Sequence, residues 1–287
     1  MSRIDVRKTY KLYINGAFPR SESGRSYEVL DAGGRFAANA ALASRKDARD
    51  AVVAARSAFK GWSHANAYLR GQIVYRIAEV MESRRAQLVA DVMACEGLTE
   101  ARAKRVLDAA IDRVVWYAGW ADKLPAVLGN ANAVSGPFFN FSVPEPSGVI
   151  AIVAPEASSL LALVSVTIPV VVAGNTCVVV TSRTRPLPAI TWAECLATSD
   201  LPNGVVNLLT GDHAEIAPWL ASHKDVDGID LSGVEDAALA RSLEAAAAVN
   251  LKRFARHDAE EDWAVRPNLR RLSRFLETKT VWHPIGV

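Results

Sequence analysis

The sequence predicts an α/β fold in which a parallel sheet is wound by helices, preceded by an N-terminal helical layer and short strands. Three observations predict it. Between residues 149 and 254, short runs of Val, Ile and Leu alternate with segments of helical length. Between residues 45 and 121, apolar side chains recur at three- and four-residue spacing. Elsewhere the extended runs are short and bounded by Pro, Gly or Asn, which suits small β-layers.

At the start, residues 10 to 14 alternate apolar with polar, Asn15-Gly16 supplies a tight turn, and residues 27 to 30 form a second extended run. From Arg45 onward, Val52, Val53, Ala55, Phe59 and Trp62 fall at helical spacing, and Ile73, Ile77, Val80 and Leu88 repeat the pattern. A third long helix is expected over residues 99 to 121, carrying Val106, Ile111, Val115 and Trp116. The Trp, Tyr and Met residues on these faces read as core packing and not as a ligand box. Residues 138 to 143 are aromatic and extended, and the Pro144-Glu145-Pro146-Ser147-Gly148 run stops them. This segment is expected to pair with the N-terminal strands.

The alternating half follows. Strands are expected at 149–153, 178–181, 205–209, 226–231 and 251–254. Helices are expected up to 173 and at 189–197, 214–222 and 235–248. Residues 257 to 262 are acidic, 266 to 274 are basic with Leu269, Leu272 and Leu276 on one side, and 278 to 282 are extended. They read as a linker, a short solvated helix and a terminal strand. The boundaries drawn are 1–136 for the N-terminal strands and helical layer, 137–147 for a flap strand, 148–256 for the βα domain, 257–272 for a linker and 273–287 for the tail.

Composition narrows the function classes. A chain of 287 residues, half of them hydrophobic, has material for one large α/β domain or two modest ones. Its 33 basic and 31 acidic residues are spread along the chain, so there is no electrostatic footprint for nucleic acid. Cys95, Cys177 and Cys195 are odd in number and lack zinc-ligand spacing, so no metal is expected and a reduced, cytoplasmic setting fits. The most apolar stretch, 160 to 173, is too short to cross a bilayer and runs into Gly174-Asn175, and the N-terminus shows no signal pattern. No membrane partner is expected.

The run from Leu201 to Gly211, Leu-Pro-Asn-Gly-Val-Val-Asn-Leu-Leu-Thr-Gly, closely resembles a signature of the aldehyde dehydrogenase superfamily. Five further segments support it in order: Leu12-Tyr13-Ile14-Asn15-Gly16, Tyr117-Ala118-Gly119-Trp120-Ala121, Glu145-Pro146-Ser147-Gly148-Val149, Ala173-Gly174-Asn175-Thr176, and the tail from Phe275 to Trp282. The resemblance implies a Rossmann-type dinucleotide-binding domain. It also implies a small β-flap oligomerisation element assembled from the N-terminal strands, residues 138 to 143 and the tail. The layout is similar to the non-catalytic second half of fused, two-unit aldehyde dehydrogenases.

What the resemblance implies for chemistry is mostly missing. Such enzymes attack an aldehyde with a cysteine thiolate, stabilise the oxyanion with an asparagine amide, pass hydride to NAD(P) and hydrolyse a thioester with a glutamate base. No cysteine follows Cys195, and the chain runs from Phe254 through a charged linker to the tail, so the nucleophile and its lobe are absent. Pro155 is followed by Glu156 and Ala157 where the amide is expected, a loss worth about 3 kcal/mol in comparable sites. The base aligns with His257, and the glycines after it with Ala259 and Glu260. The ribose-binding lysine aligns with Val180, the ribose-binding glutamate with Arg183, and the Gly-Ser at the pyrophosphate with Gly233-Val234.

The expected function is therefore that of a pseudoenzyme, structural or regulatory, with no catalytic residue. It would form a homo-oligomer or a hetero-oligomer with a full-length aldehyde dehydrogenase. The cofactor candidates that survive are Arg183, Gly211 and Gly233, with no cofactor expected unless the cleft still takes NAD or NADP. The alternatives are an NAD(P)-binding sensor and residual or split-site chemistry using His257 or Glu156.

Overall fold

In the alternating half, the strands are rich in Val, Ile and Leu, mostly apolar, and must be covered on both faces. A computed structural model, which describes residues 8–256 and 261–286, shows how that is done. The chain begins with β1 (Thr9–Tyr10), β2 (Ser26–Leu30) and β3 (Phe36–Ala41). The helical layer follows: α1 (Arg45–His64), α2 (Ala67–Ser83), α3 (Arg85–Glu96) and α4 (Glu100–Ala118). Then come α5 (Leu124–Leu128), β4 (Asn130–Asn132) and β5 (Phe138–Pro146).

The winding half runs β6 (Val149–Val153), α6 (Leu161–Val172), β7 (Thr176–Val180), α7 (Leu187–Leu196), β8 (Val206–Leu209), α8 (His213–Ser222), β9 (Gly228–Asp230), α9 (Ala237–Ala248) and β10 (Arg253–Ala255). A short α10 (Arg270–Ser273) and the long β11 (Leu276–Pro284) close the described chain. The central sheet has the order β10-β9-β6-β7-β8 with every pairing parallel, so the fold is α/β with a helix-wound parallel sheet, as expected.

Local sequence explains the helix starts. Ser44 and Asp47 form a reciprocal capping box at α1, with Ser44 Oγ accepting from the N–H groups of Lys46 and Asp47 and the Asp47 carboxylate accepting from Ser44 N at 2.8 Å. Ala48, Ala51, Val52 and Ala55 of α1 pack against the sheet, whereas Val53 points outward. No residue of α6 reaches solvent. Trp62 Nε1 donates to the Val171 carbonyl at 2.9 Å, which ties α1 to α6.

The N-terminal strands depart from expectation. They do not join the flap but form their own sheet, β1-β3-β2, while the flap is β11-β5-β4. The reason is where the backbone groups are satisfied. Tyr13 exchanges both hydrogen bonds with Leu208 on the edge strand β8 (2.9 and 2.7 Å), and Leu12 and Tyr13 are buried there. The Asn15-Gly16 turn forms as expected, with both residues at positive φ, and a Cβ on Gly16 would lie 2.0 Å from the Asn203 side chain.

The linker also differs. The basic segment 266–274 is helical only over Arg270–Ser273, and it is not a solvated face. Leu272, Phe275 and Leu276 are buried in the main core, Trp263 and Leu269 pack against it, and Arg271 lies over the Trp263 ring at 4.8 Å. The Phe275 carbonyl accepts from Asn175 Nδ2 at 3.0 Å and from Ser147 N at 3.1 Å, fixing the entry into β11. Residues 261–275 lie against α4 and α6 before the chain enters the flap. Phe275→Ala should lower stability by about 3 to 5 kcal/mol in denaturant unfolding. A change near zero would mean that the linker is a tether and not part of the core.

Candidate functional site

In a sheet of this order the crevice for a ligand lies beyond the C-terminal ends of β6 and β9, where the chain turns back on itself. Four loops meet there: 154–160 after β6, 181–186 after β7, 210–212 after β8 and 231–236 after β9. The donors of the 181–186 loop converge on one side chain of the 154–160 loop, Glu156. Its carboxylate accepts from Ser182 Oγ (2.6 Å), Thr184 Oγ1 (2.7 Å), Arg183 N (2.8 Å) and Thr184 N (3.3 Å). His213 stands behind it, with Nε2 3.8 Å from the carboxylate and 2.9 Å from the Thr181 carbonyl.

Burial by itself would push the Glu156 carboxyl up, yet the bonds from Ser182, Thr184 and Arg183 N and the nearby His213 outweigh it and hold the group below its ordinary range. It is a bound anion supplied by the chain itself.

Arg183, a cofactor candidate, is committed elsewhere. Its guanidinium pairs with Asp212, and its carbonyl accepts from Tyr27 Oη at 3.1 Å. Gly211 is buried at φ +150° against the connection between β3 and α1, where a Cβ would stand 3.3 Å from Ala43 N. Gly233 N donates to the Val153 carbonyl at 2.9 Å, and a Cβ there would lie 2.2 Å from the Ala154 carbonyl oxygen. Both glycines thus have packing reasons to be glycine. Val180 is buried inside the sheet core, and Ala157 offers no amide.

The helix N-termini at this edge are already capped. Asp212 accepts from Ala214 N (2.9 Å) at α8, and Asp236 accepts from Ala238 N (2.8 Å) at α9, which begins two residues later than expected. Three carboxylates therefore accept from donors at the edge where a pyrophosphate would otherwise be attracted. The Ser182, Thr184 and His213 partners were not read from the sequence, although a Ser/Thr-rich turn straight after a buried strand is the signal that marks them.

No sulfur is poised here. Cys95, Cys177 and Cys195 are all free and buried. Burial pushes the Cys95 and Cys195 thiols up to about 12 and raises that of Cys177 as well, the opposite of an activated thiolate. His257, Ala259 and Glu260 lie outside the described residues. Among the described residues no group of three or more His, Cys, Asp or Glu could hold a metal ion, and no helix is long and apolar enough to cross a membrane.

The Glu156 cluster gives stability a pH signature. The folded carboxyl has a lower pKa than the unfolded one, so the unfolded chain takes up the proton first as pH falls. The contribution is complete above the ordinary value of 4.5 and is lost as pH falls through the lowered one. Glu156→Gln should be less stable than wild type near neutrality, and urea midpoints should show the gap closing in acid. A gap that does not change with pH would refute the bound-anion description.

Residues 18–256 match the aldehyde dehydrogenase family. A cytosolic 10-formyltetrahydrofolate dehydrogenase from Xenopus tropicalis is 32% identical over 238 residues, which are 81% of this chain and 26% of that protein. Aldehyde dehydrogenase, cytosolic 1, from Elephantulus edwardii is 32% identical over 258 residues, 88% of this chain and 50% of that protein. Among solved structures, a point mutant of betaine aldehyde dehydrogenase from Staphylococcus aureus in complex with NAD+ superposes with a TM-score of 0.79 at 25% identity, over 85% of this chain and 50% of that one. The chain thus spans half or less of the length of these relatives. The family match runs through the helical layer and the whole central sheet, and the fold is that of the solved enzymes: this chain belongs to the aldehyde dehydrogenase family.

Proposed function

We propose that the chain is a pseudoenzyme of its family, a structural or regulatory subunit that assembles with a second copy or with a catalytically complete aldehyde dehydrogenase. The observation that carries this reading is the site itself. The cleft edge is filled by Glu156, Asp212 and Asp236, and all three thiols are buried and protonated. A covalent thioester route needs a thiolate beside a cofactor, with donors aimed at the oxyanion. Trp263, Leu269, Leu272, Phe275 and Leu276 of the segment before and at the start of β11 pack on the core.

Assembly is supported by the flap. β11 pairs with β5 along nine residues, Leu276 to Pro284, and its other edge pairs with no strand among those described. An edge of that length presents N–H and C=O groups to another chain. Beside it lie Phe139 and Trp282, half or more exposed, with Trp282 in edge-to-face contact with Phe138 at 5.7 Å. Exposed aromatics on an open edge are the usual anchors of an interface.

A second reading, an NAD(P) sensor, draws on the Gly233 turn and on Arg183, but it requires Glu156 and Asp212 to yield their donors. Calorimetry with NAD and NADP separates the two. Binding weaker than about 1 mM, or none, fits the subunit; tighter binding, about 4 kcal/mol or more, favours the sensor.

The purified chain should turn over no aldehyde with NAD or NADP, and measurable turnover would overturn the assignment. Light scattering at micromolar concentration should give a mass above the monomer, for the chain alone or mixed with a complete family member. Trp282→Lys should weaken that assembly by about tenfold or more while leaving the unfolding transition in place. A monomeric mass in both settings would remove the subunit role.

A further inference from the structure

A polar pocket of about 230 Å³ lies where the linker packs onto α4. Five arginines line it, Arg113 from α4 and Arg266, Arg270, Arg271 and Arg274 from the linker, against two carboxylates, Glu261 and Asp262. Among the described residues that is a surplus of three positive charges around a space too small for a dinucleotide.

Two of these arginines are almost wholly buried, Arg113 at 6% exposure and Arg271 at 8%. Arg113 spends Nη1 on Ser165 Oγ and Nη2 on the Val265 carbonyl, both at 2.5 Å, but its Nε has no partner. Arg271 pairs with Glu261 and stands 3.9 Å from Asp230, yet its Nη1 makes no hydrogen bond. Nη1 of Arg274 is likewise buried and unpartnered. Among the described residues, Arg266, Arg270 and Arg274 make no ion pair. Buried Arg113 and Arg271 form the fixed positive floor of the pocket, and an anion that accepts from the unpaired arginines at its mouth offsets the surplus charge.

Phosphate matches this demand. It carries the charge to offset most of the surplus, its oxygens accept from the planar guanidinium fork in pairs, and its size suits the space. We infer that the pocket binds a small phosphate dianion, either the free ion or the terminal group of a phosphate monoester, with the accessible guanidinium N–H groups of Arg266, Arg270 and Arg274 as donors. Because one wall is α4 and the others belong to the linker, the ligand ties the segment leading into β11 to the helical layer. It stabilises the folded state in proportion to its concentration relative to its dissociation constant.

The test is isothermal titration of the intact chain with inorganic phosphate, with chloride at matched ionic strength as the control, together with thermal unfolding in both salts. Saturable binding of one phosphate per chain and a Tm that climbs with phosphate but not with chloride are expected. The double variant R270Q/R274Q alters an exposed and a half-buried side chain, neither holding a core contact by ion pairing. It should bind at least tenfold more weakly while keeping its unfolding transition in chloride. A sugar monophosphate that binds more tightly than phosphate identifies a metabolite as the source, and equal binding identifies the free ion; both support the site. No saturable heat up to tens of millimolar, an unchanged affinity in the double variant, or tighter binding of succinate than of phosphate would overturn it.

Discussion

One helix without a polar face constrains the rest of this molecule. Every residue of α6 from Leu161 to Val172 is buried, so it must be covered by the sheet on one side and by other elements on the other. Each buried Leu, Ile or Val contributes about 1.5 to 3 kcal/mol only while water is kept away. The helices α2 and α4 supply part of the cover, and the linker supplies the remainder through Trp263, Leu269 and Leu272. This is why a segment of charged composition folds down as a lid, and why it enters β11 through a buried Phe275 and not through a flexible hinge.

The same constraint shapes the electrostatics. A lid rich in arginine can lie on an apolar helix only if the stems cover the carbon and the heads find partners. Arg271 does both, stacking on Trp263 and pairing with Glu261 and Asp230, while Arg113 reaches across from α4 to Ser165 and Val265. At the other edge of the sheet the sign is reversed. Glu156, Asp212 and Asp236 neutralise donors that a nucleotide phosphate would otherwise attract.

How far the sequence could be read follows from how locally each feature is determined. The βα alternation was legible because doubly covered strands such as Val149–Val153 and Thr176–Val180 read as unbroken apolar runs. β3 was not, since Phe-Ala-Ala-Asn-Ala-Ala lacks the branched and aromatic residues that mark strands, and only its pairing with β1 and β2 makes it extended. The flap pairing was misread for a similar reason. Whether residues 12 and 13 join the tail or the β8 edge depends on distant hydrogen bonds, not on their own pattern. The basic segment misled because its charge count outweighed Leu272 and Phe275, which were the residues that decided its position.

At the site, identity was legible and environment was not. That Glu156 and Ala157 stand where an amide is expected, and that Val180 cannot donate, are facts of single positions. That Glu156 gathers Ser182, Arg183 and Thr184 from the next loop is a fact of the sheet, because parallel neighbours β6 and β7 end side by side and bring the loops after them into contact. A negative charge introduced after β6 would be costly in a cleft shaped for phosphate unless those donors were free to receive it. Ser182, Arg183 N and Thr184 receive it, so the charge after β6 and the donors after β7 are one feature seen from two strands.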